Sequence, residues 1–118
     1  MHHLLPASLR QRRPGRIRPR LDSVREALHQ LGNPQLDFPS ALLVGTNGKG
    51  STAAILEAIL AAHGSTVGLY TSPHLIRVEE RIRIAGRPID RVDFTRHLKT
   101  LDAFPSLTFF EAVTAAAF

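Results

Sequence analysis

The residues Gly45-Thr46-Asn47-Gly48-Lys49-Gly50-Ser51 form a glycine-rich loop between two largely apolar runs. Glycines let a backbone approach a polyphosphate closely, and the first N–H groups of a following helix point at the anion. Lys49 adds a mobile positive charge, and the Ser51 hydroxyl is placed to bind Mg²⁺. This segment, the phosphate loop, therefore predicts a phosphate-binding site made of Thr46, Asn47, Gly48, Lys49, Gly50 and Ser51.

The spacing of the phosphate loop departs from the common Walker A pattern, which has four residues between its glycines and a hydroxyl residue directly after lysine. A glycine-rich turn that merely caps a helix is therefore an alternative reading. The flanking residues favour phosphate binding, because 41–44 (Ala-Leu-Leu-Val) predicts a buried parallel strand and 51–63 predicts a helix. That helix has an apolar face at Ile55, Leu56, Ile59 and Leu60 and is closed by Gly64.

A second short strand at 67–70 would complete a β-α-β crossover of parallel strands. The predicted fold class is thus α/β, a phosphate-loop nucleotide-binding parallel sheet with flanking helices, incomplete within this chain. Ligands of such sheets bind at the carboxyl ends of the strands, so the phosphate loop and residues 71–74 should share one edge. Other patterns predict a helix opened by a Ser23/Glu26 capping box, a hairpin over 82–89 and a helix over 93–103.

Composition limits the function classes. The chain has 118 residues, 43% of them hydrophobic and 21% charged, which suits one globular domain. It has no cysteine, which excludes disulfides and thiolate metal sites within it and suits a reducing compartment, so we expect a cytoplasmic protein. No apolar run reaches membrane-spanning length, so no membrane association is expected.

The positive charge is concentrated at the start of the chain. Residues 1–21 carry six of the 15 Lys and Arg residues and none of the ten Asp and Glu residues. The remaining residues therefore hold nine basic and ten acidic side chains, a net charge of −1. We expect a basic, disordered arm over 1–21 and a globular segment over 22–118. The arm has no interleaved aromatic residues for base stacking, so no specific nucleic-acid binding is expected.

The end of the chain also predicts a helix. Thr108 and Glu111 have capping-box spacing, and the residues after them are apolar on nearly every side. Such a helix needs burial on several faces, so we expect this chain to be the N-terminal part of a larger protein. From the residues alone, Glu111 is most simply the capping acid of that helix.

Five segments resemble one family in order and spacing. They are Leu31-Gly32-Asn33-Pro34-Gln35, the phosphate loop with Thr52, Val67-Gly68-Leu69-Tyr70-Thr71-Ser72-Pro73-His74-Leu75, Glu80-Arg81-Ile82-Arg83-Ile84 and Thr108-Phe109-Phe110-Glu111. This pattern resembles the bifunctional dihydrofolate synthase/folylpolyglutamate synthase family, a branch of the Mur ligases. The resemblance covers residues from about 20 to 118, which correspond to about the first quarter of a family member.

The resemblance implies an ATP-dependent carbon–nitrogen ligase of folate biosynthesis. Such an enzyme adds L-glutamate to dihydropteroate or to folate γ-polyglutamate tails through an acyl phosphate. It implies ATP and Mg²⁺ as cofactors, Lys49 as a catalytic residue, and Ser51, Ser72 and Glu111 as metal ligands. It also implies that His74 and Arg81 belong to a substrate loop, that the full-length protein is a monomer, and that this chain alone is inactive.

Two alternatives stay open on the residues alone. The chain could belong to another phosphate-loop enzyme, such as a cell-wall amino-acid ligase or a kinase, although the Thr71-Ser72-Pro73-His74 run argues against it. It could instead be a small nucleotide- or nucleic-acid-binding module that uses the basic arm. Ser72 before Pro73 could be ordinary turn chemistry, and Glu79 and Glu80 are predicted to be solvated and locally paired.

Overall fold

The computed structural model describes residues 5–12 and 21–118. Its helices are α1 (Ala7–Arg10), α2 (Asp22–Gln30), α3 (Lys49–Ala62), α4 (Arg91–Thr100) and α5 (Phe109–Ala117). Its strands are β1 (Gly68–Tyr70), β2 (Ile82–Ile84) and β3 (Arg87–Pro88), and short 3-10 helices cover Pro34–Leu36, Val78–Arg81 and Leu101–Ala103. Within the described ranges, no helix has the length and apolar character needed to cross a membrane.

The chain divides into two compact units. Met1–Pro39 and Arg91–Phe118 form the first, here called the helical unit, and Ser40–Asp90 forms the second, the sheet unit. Apolar side chains from α1, α2, α4 and α5 make the core of the helical unit, where their burial supplies most of the stabilisation. The buried apolar residues of the helical unit are Leu9, Val24, Ala27, Leu28, Phe94, Leu98, Leu101, Leu107, Phe109, Ala112, Val113 and Ala115.

The ends of α2 were predicted with mixed success. The Ser23/Glu26 capping box does not form: the helix begins at Asp22, and Leu21 precedes it without a side-chain cap. Asp22 in the first turn complements the positive end of the helix dipole instead. The predicted stop is confirmed, because Gly32 (φ 87°) and Asn33 (φ 57°) are both left-handed and end the helix.

The capping box of α5 is confirmed. The Thr108 hydroxyl accepts a hydrogen bond from the Glu111 N–H at 3.3 Å, and the Glu111 carboxylate accepts one from the Thr108 N–H at 2.8 Å. Two N–H groups at the helix start are thereby satisfied. The helix buries Phe109, Ala112, Val113 and Ala115, so several of its faces are covered, as its composition predicted.

The described part of the N-terminal arm differs from the expectation of disorder. Leu9 of α1 is fully buried, and α1 packs against α4. The Arg12 guanidinium is buried and donates to the main-chain carbonyls of Leu101 (2.8 Å), Phe104 (3.0 Å) and Leu107 (2.7 Å). Arg12 thus binds main-chain carbonyls within and just after the 3-10 helix Leu101–Ala103, and these bonds fix the position of its side chain. The rest of the predicted arm, 1–4 and 13–20, lies outside the described residues.

The sheet unit contains an antiparallel sheet where the sequence predicted a parallel one. The strand order is β1-β2-β3, with Leu69 opposite Arg83 and Arg83 opposite Pro88. The β2–β3 hairpin is as predicted, and its turn residues Ala85 (φ 50°) and Gly86 (φ 77°) are both left-handed. Two left-handed residues match the twist of a two-residue hairpin, which explains why the chain reverses here.

The predicted strand at 41–44 is wrong in this structure. These residues join no ladder, and the side chains of Leu42 and Val44 are 89% and 80% exposed. A strand exists only where its N–H and C=O groups pair with a neighbour, and no described strand lies in the sheet beside 41–44. The parallel β-α-β crossover therefore does not form among the described residues.

Helix α3 begins at Lys49 and packs against β1. Its predicted apolar face is not covered, because Ile55 is 61% and Ile59 is 50% exposed. The buried residue of α3 is Glu57, whose carboxylate lies 3.4 Å from the Arg83 guanidinium of β2. One oxygen of Glu57 and the Nε of Arg83 have no further hydrogen-bond partner. An ion pair therefore links α3 to the sheet.

The docking of α1 can be tested through Arg12. We expect Arg12→Ala to speed amide hydrogen exchange across residues 5–12, because three buried carbonyls lose their charged donor at a cost of about 2 kcal/mol. Arg25→Ala, on the exposed face of α2, is the matched control and should leave the exchange unchanged. Equal exchange in both variants would mean that Leu9 burial alone holds α1.

Candidate functional site

The phosphate loop has the backbone that its glycines predicted. Gly45 (φ 152°) and Gly48 (φ 78°) both have positive φ, which costs a residue with a Cβ atom more than it costs glycine. Gly48 is the N-cap of α3, and a glycine has no side chain with which to cap it. The first N–H groups of α3 therefore lack a side-chain acceptor at the N-cap and lie at the positive end of the helix dipole. This arrangement suits an anion.

The Lys49 ammonium folds back onto the phosphate loop. Its Nζ donates to the carbonyl of Gly45 and lies 3.4 Å from the carbonyl of Thr46. The side chain is exposed, so no buried partner competes for it. A mobile cation that rests on loop carbonyls can move to an anion bound at the same loop.

The two hydroxyl groups after Gly50 have different surroundings. The Thr52 hydroxyl donates to the carbonyl of Gly48 at 2.8 Å and so serves the helix itself. Ser51 lies exposed in the first turn of α3. The proposed metal role of Ser51 stays a prediction.

Ser72 is exposed and lies two residues after β1, in the sheet unit that also contains the phosphate loop. The Ser72–Pro73 peptide bond is cis. Hydroxyl oxygens are neutral donors of the kind that Mg²⁺ accepts beside carboxylates. The proposed metal role of Ser72 stays a prediction.

His74 and Arg81 are brought together by the structure. The Arg81 Nε–H donates to His74 Nδ1 at 2.8 Å, so the ring proton of the neutral imidazole must be on Nε2. Burial, then the positive charge of Arg81, lowers the pKa of His74, and Glu80 and Glu79 oppose this only in part. His74 is therefore a neutral group near pH 7, and its Nε2–H is not engaged by this hydrogen bond.

The acidic pair next to Arg81 is locally paired, as predicted, but the prediction that Glu79 is solvated was wrong. Glu79 is only 3% exposed, and its carboxylate lies 3.6 Å from the Arg77 guanidinium. The Glu80 carboxylate accepts hydrogen bonds from three successive backbone N–H groups, at Leu75, Ile76 and Arg77. The Arg77 side chain has no acceptor with which to form a capping box, so the sequence carried no clear signal for the Glu80 contacts.

Glu111 belongs to the helical unit and acts there as the capping acid of α5. Its hydrogen bond to Thr108 uses one carboxylate oxygen, Oε2. A carboxylate has about four lone-pair positions, so capping and metal binding are chemically compatible. The capping reading of Glu111 is confirmed, whereas its metal role stays a prediction.

The described residues contain no cluster of three or more His, Asp or Glu side chains that could hold a metal ion by themselves. The candidate donors are the oxygens of Ser51, Ser72 and Glu111. Hard oxygen donors in small number suit Mg²⁺, which keeps several waters and binds substrate phosphates. The donor chemistry therefore fits Mg²⁺ better than a softer metal.

Comparison with known proteins places these motifs in one family. The chain is 40% identical over 110 residues to a protein of Haloferax volcanii described as a probable bifunctional folylpolyglutamate synthase/dihydropteroate synthase. It is 36% identical over 111 residues to the dihydrofolate synthase/folylpolyglutamate synthase of Bacillus subtilis. Over most of its length, the chain is thus similar to folylpolyglutamate synthase/dihydrofolate synthase proteins. No protein-family model matches it.

Solved structures agree with this assignment. The Thermotoga maritima folylpolyglutamate synthase superposes with a TM-score of 0.80 at 37% identity, over 86% of this chain and 26% of that one. The Mycobacterium tuberculosis folylpolyglutamate synthase, solved in complex with ADP, gives a TM-score of 0.77 at 36% identity. A Yersinia pestis bifunctional folylpolyglutamate synthase/dihydrofolate synthase, solved with AMPPNP and a Mn ion, gives a TM-score of 0.74 at 37% identity.

The matched length is a fraction of each relative. The chain spans 26% of the Bacillus subtilis protein and 13% of the Haloferax volcanii protein. The Mur-ligase-type α/β fold class is thus confirmed at the level of the family, with a small partial sheet in this chain. Within this chain, the sheet of that fold is represented by the three antiparallel strands β1, β2 and β3.

The environment of His74 gives a pH dependence. The lowered pKa means that the unfolded chain binds a proton more readily than the folded chain. The stability that the neutral His74 imidazole contributes is therefore complete above pH 6.5, the ordinary pKa of histidine. It is lost as the pH falls through the lower pKa of the folded chain. We expect the protection of the amides of residues 74–77, measured relative to the intrinsic exchange rate at each pH, to fall below about pH 6.5. A His74→Gln variant, whose side-chain oxygen can still accept from Arg81, should show no such loss of protection.

Proposed function

We propose that this chain supplies the phosphate-binding part of an ATP-dependent ligase that adds L-glutamate to dihydropteroate or to folate γ-polyglutamate tails. The observation that carries the proposal is the phosphate loop, whose left-handed Gly48 opens α3 directly before Lys49. The relatives support the reaction class, since both are named as folylpolyglutamate synthases. The complexes of two such enzymes, with ADP and with AMPPNP and Mn, support a nucleotide and a divalent metal.

The proposed chemistry has two steps. A substrate carboxylate oxygen attacks the γ-phosphorus of ATP, which forms an acyl phosphate and releases ADP. The glutamate amino group then attacks the acyl carbon and expels phosphate, which leaves a new amide bond. Lys49 and the N–H groups at the start of α3 would stabilise the negative charge that develops on the phosphate oxygens in the first step. Lys49 would leave the loop carbonyls to do so.

Ser51, Ser72 and Glu111 are the residues that would hold Mg²⁺. The metal would neutralise phosphate charge when bound. His74 and Arg81 would face the folate-type substrate, with His74 as a neutral hydrogen-bond donor through Nε2. The pairing of these two side chains supports a joint role, because Arg81 fixes the orientation of the imidazole.

The setting of the complete enzyme is also proposed. We propose a cytoplasmic, monomeric ligase that acts without specific nucleic acid. The buried position of Arg12 supports the last point, since at least one arginine of the basic arm is occupied by main-chain carbonyls. Light scattering of a full-length ligase would test the monomer.

A hybrid ligase makes the proposal testable. The hybrid is the Thermotoga maritima enzyme in which this chain replaces the matching segment. Its activity is measured as glutamylation of dihydropteroate and of a reduced folate. In it, we expect Lys49→Ala to lower kcat by about 100-fold or more, because a preorganised charge is removed. Lys99→Ala, at the exposed end of α4, is the control and should keep full activity. A wild-type rate for Lys49→Ala would rule out its phosphate role.

Glu111→Gln separates metal binding from capping. Gln keeps an oxygen for the Thr108 N–H but removes the charge, so a metal ligand predicts a higher Mg²⁺ requirement at nearly unchanged thermal stability. The control, Thr108→Ala, breaks the cap and should cost about 1 kcal/mol of stability without changing the Mg²⁺ requirement. Ser72→Ala should act like Glu111→Gln but more weakly. A normal Mg²⁺ titration of Glu111→Gln would leave Glu111 as a cap alone.

A further inference from the structure

The Glu80 carboxylate binds the backbone of the turn that precedes it. Its Oε2 accepts from the N–H of Leu75 at 2.9 Å, and its Oε1 accepts from the N–H of Arg77 at 2.8 Å. The Ile76 N–H lies 3.2 Å from Oε1 and 3.4 Å from Oε2. One side chain therefore satisfies three successive main-chain donors. Residues 74–77 are called the substrate turn below.

This arrangement exceeds what a helix cap requires. In a capping box, the acid at the third helical position binds only the N–H of the N-cap, which here is Arg77. The N–H groups of Leu75 and Ile76 precede that helix, so their bonds to Glu80 do not stabilise the helix itself. They fix the shape of the substrate turn. These backbone bonds, that of Leu75 first, lower the pKa of Glu80 because they stabilise the ionised carboxylate.

Arg81, the residue after Glu80, binds the first residue of the substrate turn, His74. Arg81 binds the His74 imidazole while Glu80 binds the backbone after it. Both residues lie on one 3-10 helix, which Val78, at 1% exposure, anchors in the protein interior. The Leu75 and Ile76 side chains nevertheless remain 87% and 68% exposed. The contacts of Glu80 and Arg81 hold the turn while Leu75 and Ile76 stay open to solvent, where a ligand can reach them.

We propose that Glu80 is a positioning residue of the ligase, which fixes the substrate turn in the conformation that binds the folate-type substrate. The inference rests on the proposed function, in which His74 faces that substrate. Ordering a turn before binding removes a conformational cost from the binding step. Loss of Glu80 should therefore weaken substrate binding more than it slows the chemical step.

Glu80→Gln in the hybrid ligase is the discriminating change. Gln has one acceptor oxygen, and its NH₂ group would face a backbone donor, so about half of the hydrogen bonds are lost. We expect a KM for the folate substrate that is about tenfold higher, with kcat within about threefold of wild type and an unchanged KM for ATP. Amide exchange at Leu75, Ile76 and Arg77 should be at least about fivefold faster.

Two further variants complete the experiment. Glu80→Asp retains a carboxylate and should recover part of the KM and of the exchange protection. Glu26→Gln removes an exposed carboxylate from α2 and should change neither quantity. A thermal midpoint close to that of wild type is expected in all variants, because the N–H groups of Leu75 and Ile76 lie outside the helices and strands.

The outcomes separate this inference from the proposed function. Unchanged exchange, or an unchanged folate KM in an active Glu80→Gln enzyme, would overturn the positioning role. A lowered thermal midpoint with equal losses in every kinetic constant would show a purely structural role and would overturn it as well. Absence of glutamylation by the hybrid without substitutions would instead refute the proposed function, and the exchange measurement would still decide whether Glu80 orders the turn.

Discussion

Gly48 places the backbone of the phosphate loop in a left-handed conformation, and the start of α3 and the position of Lys49 depend on this residue. Because the chain turns sharply there, α3 begins at Lys49 and its first N–H groups face outward from the helix start. The Lys49 ammonium rests on the carbonyls of Gly45 and Thr46, directly beside those groups. A side chain at position 48 would meet no neighbouring atom within 4 Å, so the requirement for glycine comes from its φ of +78°.

Charged side chains organise much of the sheet unit. Glu57 and Arg83 join α3 to β2, and Arg83 also donates to the carbonyl of Gly86 in the hairpin turn. Buried ion pairs seldom add much net stability, but leaving one partner alone in the interior is costly. The Glu57–Arg83 pair therefore favours one position of α3 on the sheet over others. The apolar face of α3 does not do this, since Ile55 and Ile59 stay exposed.

The segment from His74 to Arg81 shows how local hydrogen bonds can prepare a binding surface. Its two fixed points, Glu80 and Arg81, are adjacent in sequence, and both reach back over the turn before them. Leu75 and Ile76 of this turn stay exposed, because the hydrogen bonds of Glu80 engage only their backbone N–H groups. The same physical device, a carboxylate on main-chain N–H groups, occurs at Thr108 and Glu111, where it serves only a helix start in this structure.

The sequence by itself determined the features that depend on neighbouring residues. The phosphate loop, the α5 capping box, the 85–86 hairpin turn and the end of α2 were all predictable, because glycine conformation and capping act over three or four residues. The family followed from the same short motifs. The tertiary structure alone decided which surfaces are covered. It left 41–44 outside the sheet, buried Glu57 and Glu79, and held Arg12 on three carbonyls, because strand pairing and burial depend on residues distant in sequence.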